Sequence, residues 1–135
     1  MSLFSVFDIS GSALRAQTVR LNTTASNMAN VDSISSSTAT TYRARQPVFA
    51  AQLDDAGDEA TGVDVLGIVE SQAPLRREYR PDHPLADQQG YVNLPNVNPV
   101  EEMANMISAS RSYQTNVEVL NTSKQMLLRT LALGD

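Results

Sequence analysis

The sequence predicts an elongated α+β protein in which an α-helix at each end of the chain flanks a small β-rich insert. Three observations support this: an N-terminal apolar repeat of seven residues, a long C-terminal segment without Gly or Pro, and short alternating apolar runs between them. The 135 residues suit one domain, because two separate cores would each bury too little surface to offset chain entropy.

The N-terminal helix is predicted over residues 7–31. Phe7, Leu14, Leu21 and Met28 recur every seventh residue, and small residues lie between them at alternating spacings of three and four. Such a narrow seam lets another helix approach closely. Three asparagines in the segment lower its helix propensity, so the isolated helix is expected to fray.

Two of these asparagines, Asn27 and Asn30, allow two interpretations. Buried in a helical seam, they would fix its register by hydrogen bonding at some cost in stability. Alternatively, they would end the first helix and cap a turn. The sequence alone leaves both interpretations open.

The C-terminal helix is predicted as one continuous element over residues 100–133, about 50 Å long. Asn98 is expected as its N-cap and Pro99 as its first residue, and Gly134 follows its end. Ile107 and Leu128 widen a stripe at spacings of three and four that consists of Met103, Met106, Ser110, Tyr113, Val117, Leu120, Lys124, Leu127 and Leu131.

The insert is predicted to contain strands at residues 42–50, 62–70, 75–79 and 91–94, with loops at residues 33–41 and 54–61. The chain therefore divides into a terminal helical domain, formed by residues 1–31 with 97–135, and a β-rich insert, formed by residues 32–96. The two helical seams can pair with each other as an antiparallel, coiled-coil-like hairpin, with other chains, or with both.

Composition narrows the possible functions. The net charge of −5 is spread without a basic stripe, which argues against nucleic acid as a partner. The chain has no Cys, so thiolate chemistry is excluded. No segment approaches a membrane span, and the first twenty residues do not resemble a cleaved signal peptide. Aromatic residues make up only 5% of the chain, which suggests that much of its apolar surface awaits a partner.

No catalytic, cofactor-binding or metal-binding site is predicted. The single histidine, His83, lies with Asp82 and Asp87 in a proline-bounded segment that is typical of a turn. No glycine pattern of a phosphate-binding loop or nucleophile elbow is present. The sequence therefore favours a structural protein over an enzyme.

Both ends of the chain resemble a known family. Residues 2–13 (SLFSVFDISGSA) and 21–31 (LNTTASNMANV) look like its N-terminal signature, and residues 96–103 (NVNPVEEM) and 106–121 (MISASRSYQTNVEVLN) like its C-terminal one. These motifs are similar to those of the axial proteins of the bacterial flagellum, the basal-body rod proteins. The segments YRAR, GVDV, HPLAD and GYV of the insert resemble members from the proximal rod.

This resemblance implies a structural rod subunit in the periplasmic segment of the basal body, exported by the flagellar type III apparatus without a cleaved signal. Its partners would be other rod proteins, ring and adaptor proteins of the basal body, and further copies of itself. The alternatives are a soluble helical adaptor or chaperone-like module and, more remotely, an enzyme acting on peptidoglycan.

The predicted mechanism is packing of the terminal helices into an open helical array as the rod grows. The predicted assembly interface comprises Leu14, Leu21, Asn27, Met28, Asn30, Met103, Met106, Ile107, Tyr113, Val117, Leu120, Leu127 and Leu131.

Overall fold

The computed structural model describes residues 3–53 and 60–134, and within them the chain forms two long helices and two small antiparallel sheets. Helix α1 is Leu3–Ala29 and helix α2 is Pro99–Ala132. The strands between them are β1 (Arg45–Leu53), β2 (Ala60–Glu70), β3 (Arg76–Tyr79) and β4 (Tyr91–Leu94). The predicted α+β class, with a helix at each end and a small β insert, is confirmed.

Helix α1 begins four residues before the predicted start and ends two residues before the predicted end. The Asn30 backbone N–H donates to the Ser26 and Asn27 carbonyls, and its side-chain amide also donates to the Ser26 carbonyl, at 2.8 Å. The Ser33 hydroxyl donates to the Asn30 side chain at 3.1 Å. Asn30 thus caps the turn that follows α1.

Helix α2 starts as predicted. The Asn98 side chain accepts from the backbone N–H groups of Val100 and Glu101, Pro99 occupies the first turn, and acidic residues follow. The helix ends at Ala132, and the N–H of Gly134 donates to the Leu131 carbonyl at 3.1 Å. Of the described helices, none combines the length and apolarity needed to cross a bilayer.

The two helices pack against each other in antiparallel directions. Near the C-terminal end of α1, Asn27 and Thr24 contact Glu102 in the first turn of α2. Nearer the middle of α1, the Arg20 guanidinium donates to the side chain of Asn105 at 3.3 Å. As residue numbers fall along α1 they rise along α2, so the helices run in opposite directions.

Strands β1 and β2 form a long hairpin that packs along α1. Arg45 pairs with Glu70 at its base, where their side chains also form an ion pair at 3.3 Å. The pairing shifts between Val48 and Phe49, so Leu66 is an extra residue and bulges out of the ladder. This bulge leaves Leu66 69% exposed.

Four predicted boundaries in the insert were wrong. The strand predicted to end at residue 50 continues to Leu53. The strand predicted at residues 42–50 begins at Arg45, because the Ala44 N–H donates to the Asn96 side chain and the Ala44 carbonyl accepts from Ser71. The loop predicted at residues 54–61 lies outside the described residues except for its last two, which already belong to β2. The strand predicted from residue 75 begins at Arg76.

The main apolar core lies where the insert returns to α2. Val92, Leu94 and Val97 are at most 2% exposed, and Ala44 is 7% exposed. The loop after α1 closes on this core, because the Ser35 N–H donates to the Asn93 carbonyl at 3.3 Å.

The solvent-accessible surface of 8996 Å² is larger than the roughly 6,900 Å² expected of a compact monomer of this mass. The excess agrees with an elongated molecule.

Candidate assembly surface

Asn27 is the centre of a buried polar cluster that joins both helices to the insert. It is 1% exposed. Its amide donates to the Arg45 carbonyl at 2.8 Å, and its carbonyl oxygen accepts from the Arg45 N–H at 2.9 Å and the Tyr42 hydroxyl at 2.9 Å. The N–H and the carbonyl of Arg45 thus both bind the Asn27 side chain, and this fixes the start of β1 against α1.

Glu102 completes this cluster from α2. The residue is 5% exposed, and its carboxyl group lies near the side chains of Asn27 and Thr24. Burial raises the pKa of Glu102 above its usual value, the polar side chains of Asn27 and Thr24 lower it, and the neighbouring Glu101 raises it further. From the sequence, Glu102 was expected only as an acidic residue in the first turn of α2, where the helix dipole favours negative charge.

Ser12 makes a second polar contact, between α1 and the far part of the hairpin. Its hydroxyl donates to the Ile9 carbonyl at 2.7 Å and accepts from the Val63 N–H at 2.9 Å. A Cβ atom on Gly62 would lie 2.8 Å from the Ser12 hydroxyl oxygen and 2.9 Å from a Gln52 side-chain oxygen. The close approach of β2 to α1 therefore suits glycine at position 62, where a larger residue would displace the Ser12 and Gln52 side chains.

The seam between the helices is built mainly from small and polar residues. Ala16 is 2% exposed and Ala109 is fully buried, and Ser10, Thr23 and Ser123 are also buried. Small side chains let two helix backbones approach closely. Sequence reasoning missed these residues because it followed the large apolar repeat, although small residues at helical spacing provided a signal.

The structure divides the thirteen residues predicted as an assembly interface into three groups. Asn27 is buried in the polar cluster. Partly buried are Leu14, Leu21, Met28, Asn30, Met106, Leu120 and Leu127. The exposed members, at 36–62% exposure, are Met103, Ile107, Tyr113, Val117 and Leu131.

The exposed members belong to a larger apolar surface on α2. Val100, 70% exposed, precedes Met103 and Ile107 at helical spacing. The other end of the helix adds Met126, Leu128 and Leu133, which are 54%, 55% and 88% exposed. Val100, Met103 and Ile107 lie on one side of the helix, and an exposed apolar patch of this kind is a candidate interaction site.

The hairpin has an apolar surface that the sequence analysis did not single out. Its exposed members, at 36–69% exposure, are Val48, Phe49, Leu53, Val65, Leu66, Ile68 and Val69. The continuous apolar run around Gly67 could have indicated this surface. A strand with one buried face alternates apolar and polar residues, whereas a continuous run places apolar side chains on both faces. Both strands are sheet edges, which adds unpaired backbone groups to this surface.

The turn around His83 has structural contacts. The Asp87 carboxylate accepts from the N–H groups of Gln89 and Tyr91, both at 2.9 Å, and from Arg77 at 2.8 Å. The Tyr91 bond is the largest of the contributions that lower the pKa of Asp87. His83 accepts from the Leu85 N–H at 3.1 Å. Across residues 3–53 and 60–134, no three His, Cys, Asp or Glu side chains converge as metal ligands would.

Two family profiles match the chain, one over each end. The profile described as flagella basal body rod protein matches residues 7–33, and that described as flagellar basal body rod FlgEFG protein C-terminal matches residues 88–133. These segments contain most of α1 and all of α2.

Full-length relatives are similar from end to end. The flagellar basal-body rod protein FlgC of Salmonella typhimurium is 56% identical over 135 residues, which cover 99% of both chains. FlgC of Yersinia enterocolitica is 56% identical over 134 residues, again 99% of both. FlgC of Buchnera aphidicola subsp. Acyrthosiphon pisum is 43% identical over 138 residues, 100% of both.

Proposed function

The chain belongs to the flagellar basal-body rod protein family and is a structural subunit of the basal-body rod, and we propose that its place is the proximal rod. The observation that carries this proposal is the similarity to FlgC proteins, 56% identity that spans the insert as well as both helices. The insert segments resemble proximal-rod members in particular.

In the proposed mechanism, the terminal helical domain of residues 1–31 and 97–135 polymerises, and residues 32–96 form an insert attached to it. The large exposed side chains of α2 supply apolar surface that only neighbouring subunits could cover. Contacts between two different faces repeat from copy to copy, and they extend into an open helical array when the rotation between copies does not close a ring. Such an array would transmit torque along the rod.

The subunit assembles with other basal-body rod proteins. We further propose that it occupies the periplasmic segment of the rod, contacts ring and adaptor proteins of the basal body, and is exported by the flagellar type III apparatus without a cleaved signal. On this proposal the protein has no catalytic role and needs no cofactor or metal.

Electron microscopy of basal bodies from cells that lack the chain tests the role directly. We expect the rod to be missing and to return when the intact sequence is restored. Complete rods without the chain would contradict the proposal and favour a soluble adaptor that binds a single partner.

A point substitution separates assembly from folding. Ile107 is 57% exposed, so Ile107→Asp should leave the subunit folded and soluble but prevent its incorporation into rods. Ser108→Asp adds the same charge at an exposed polar position about 100° around the same helix and is the matched control. Leu120 suits this test less well, because it is partly buried in the subunit. Normal rods containing the Ile107 variant would argue against α2 as an assembly surface.

A further inference from the structure

Five charged side chains lie on the outward sides of the two helices, where they would influence the packing of one copy of the chain against another. Asp8 and Arg15 are exposed on α1, and Arg111, Glu118 and Arg129 are exposed on α2. Spacings of seven and eleven residues are close to whole numbers of helical turns, so each set lies along one side of its helix. Over the described part of the chain, none of the five forms an ion pair.

The antiparallel packing places like charges at the same height along the molecule. The hydrogen bond between Arg20 and Asn105 fixes the relative height of the helices. Both helices rise by the same distance per residue, so five residues back along α1 and five forward along α2 bring Arg15 level with position 110. Twelve residues in the same directions bring Asp8 level with position 117. Arg15 is therefore within one residue of the height of Arg111, and Asp8 within one residue of Glu118. The subunit has a basic band followed by an acidic band.

These bands disfavour two copies packed side by side at the same height and favour two copies shifted along the helix axis. If α1 of one copy lay in register against α2 of the next, Arg15 would face Arg111 and Asp8 would face Glu118, and both pairs repel. A shift toward the C-terminal end of α2 brings Arg15 beside Glu118 and Asp8 toward Arg129. At 1.5 Å per residue these pairings require shifts of about 12 and 18 Å, a difference that long arginine side chains span.

The same shift brings apolar groups together. Phe4, 67% exposed, lies one turn before Asp8 on α1. A shift within this range places Phe4 beside the last turn of the neighbour's α2, where Leu133 is 88% exposed. Leu133 follows Arg129 by four residues and therefore lies on the same side of the helix. A shift in the opposite direction places Phe4 near the height of Arg111 and away from Leu133.

We propose that the outward side of α1 docks onto the outward side of α2 of a second copy of this chain, displaced along the helix axis by about 12–18 Å. The proposal rests on the proposed function, because it specifies the contact between copies within the rod. Two different faces meet, and each copy carries both, so the contact can repeat from copy to copy, and the axial displacement keeps it from closing into a ring. The charge bands set the displacement, and Phe4 and Leu133 supply apolar surface to be buried.

Paired cysteines test the displacement against a clean background, since the chain has no Cys. The variant with Arg15→Cys and Glu118→Cys should form disulfide-linked dimers and higher multimers in oxidised, isolated basal bodies. The control with Arg15→Cys and Arg111→Cys samples the unshifted contact and should remain monomeric. Multimers from the control alone, or from neither variant in rods that contain the chain, would overturn the proposal.

Charge reversal provides a second measurement. Arg15→Glu and Glu118→Arg should each reduce the number of complete rods severalfold, and the two together should restore it. Lys124→Glu is the control, because position 124 lies about 120° around the helix from Glu118. Failure of the double variant to restore assembly would contradict the pairing. Absence of the unsubstituted chain from isolated rods would instead refute the proposed function.

Discussion

The two terminal helices are stabilised in different ways. Helix α1 packs against α2 and both strands of the hairpin, and six of its residues, mostly small and polar, are buried. Helix α2 is longer, with 34 residues against 27, yet only Glu102, Ala109 and Ser123 are buried among its described residues. Its large apolar side chains are mostly partly buried or exposed.

This difference shows that apolar content did not decide which helix is buried. Small side chains allow the close contact of α1 with its neighbours, and their hydroxyl and amide groups satisfy backbone groups of the insert. The larger side chains of α2 remain on the surface, where a partner could cover them. Helix α1 therefore organises the subunit, and α2 provides most of its unpartnered helical surface.

The largest effect is expected from Asn27→Ala, which would break the contact that organises α1. The substitution leaves both backbone groups of Arg45 without their partner and removes one of the two hydrogen bonds of the Tyr42 hydroxyl, which keeps the one to Ser26. We therefore expect a loss of about 3 kcal/mol in the free energy of unfolding. Urea unfolding, monitored by circular dichroism, measures this free energy. Asn22→Ala, at an exposed position of the same helix, is the control and should cost nothing. Similar stability of both variants would contradict a central role for Asn27.

A pair of glycine substitutions distinguishes the hairpin side of α1 from its open side. Gly62→Ala places a methyl group too close to Ser12 and Gln52, so we expect a loss of about 1–3 kcal/mol in unfolding free energy. Gly11→Ala meets nothing within 4 Å and should stabilise the subunit by about 0.5–1 kcal/mol because alanine favours the helix. The same urea measurement applies. Changes of opposite sign in the unfolding free energy would support a tight contact between β2 and α1. Equal changes in the two variants would argue against it.

The contact between the two helices should give a smaller effect that depends on pH. Because the pKa of Glu102 is raised in the folded state, the folded protein retains this proton to higher pH than the unfolded chain. The stabilisation is fully present below the unfolded pKa of about 4.3 and is lost as pH rises through the folded pKa. Glu102→Gln should remove this loss and keep an acceptor for Asn27. Unfolding of both proteins between pH 4 and pH 7 measures the difference, and parallel pH profiles would be the contrary result.

The smallest effect is expected at the exposed end of α2. Leu128 is 55% exposed, so Leu128→Ala should change the unfolding free energy by less than about 0.5 kcal/mol. Thermal or urea unfolding of the purified subunit measures it. A loss above 2 kcal/mol would show that this end of α2 is packed within the subunit, and the contrast between the helices would fail.

Local sequence signals predicted the elements well. The absence of Gly and Pro together with the Asn98-Pro99 start predicted α2, and β4 has the predicted bounds of residues 91–94. These signals succeed because helix caps and strand alternation depend on residues close together in the chain. The family motifs in both helices likewise predicted a rod protein, as the full-length similarity confirms.

The sequence by itself determined the two helices, the β-rich insert and the family. Only the tertiary structure decided that Asn27 binds Arg45, that Glu102 is buried, and that Ser12 meets the hairpin 51 residues later. It also decided which predicted interface residues stay exposed. These outcomes depend on how closely separate elements approach, and the small residues that allow that approach leave only a weak periodic signal in the sequence.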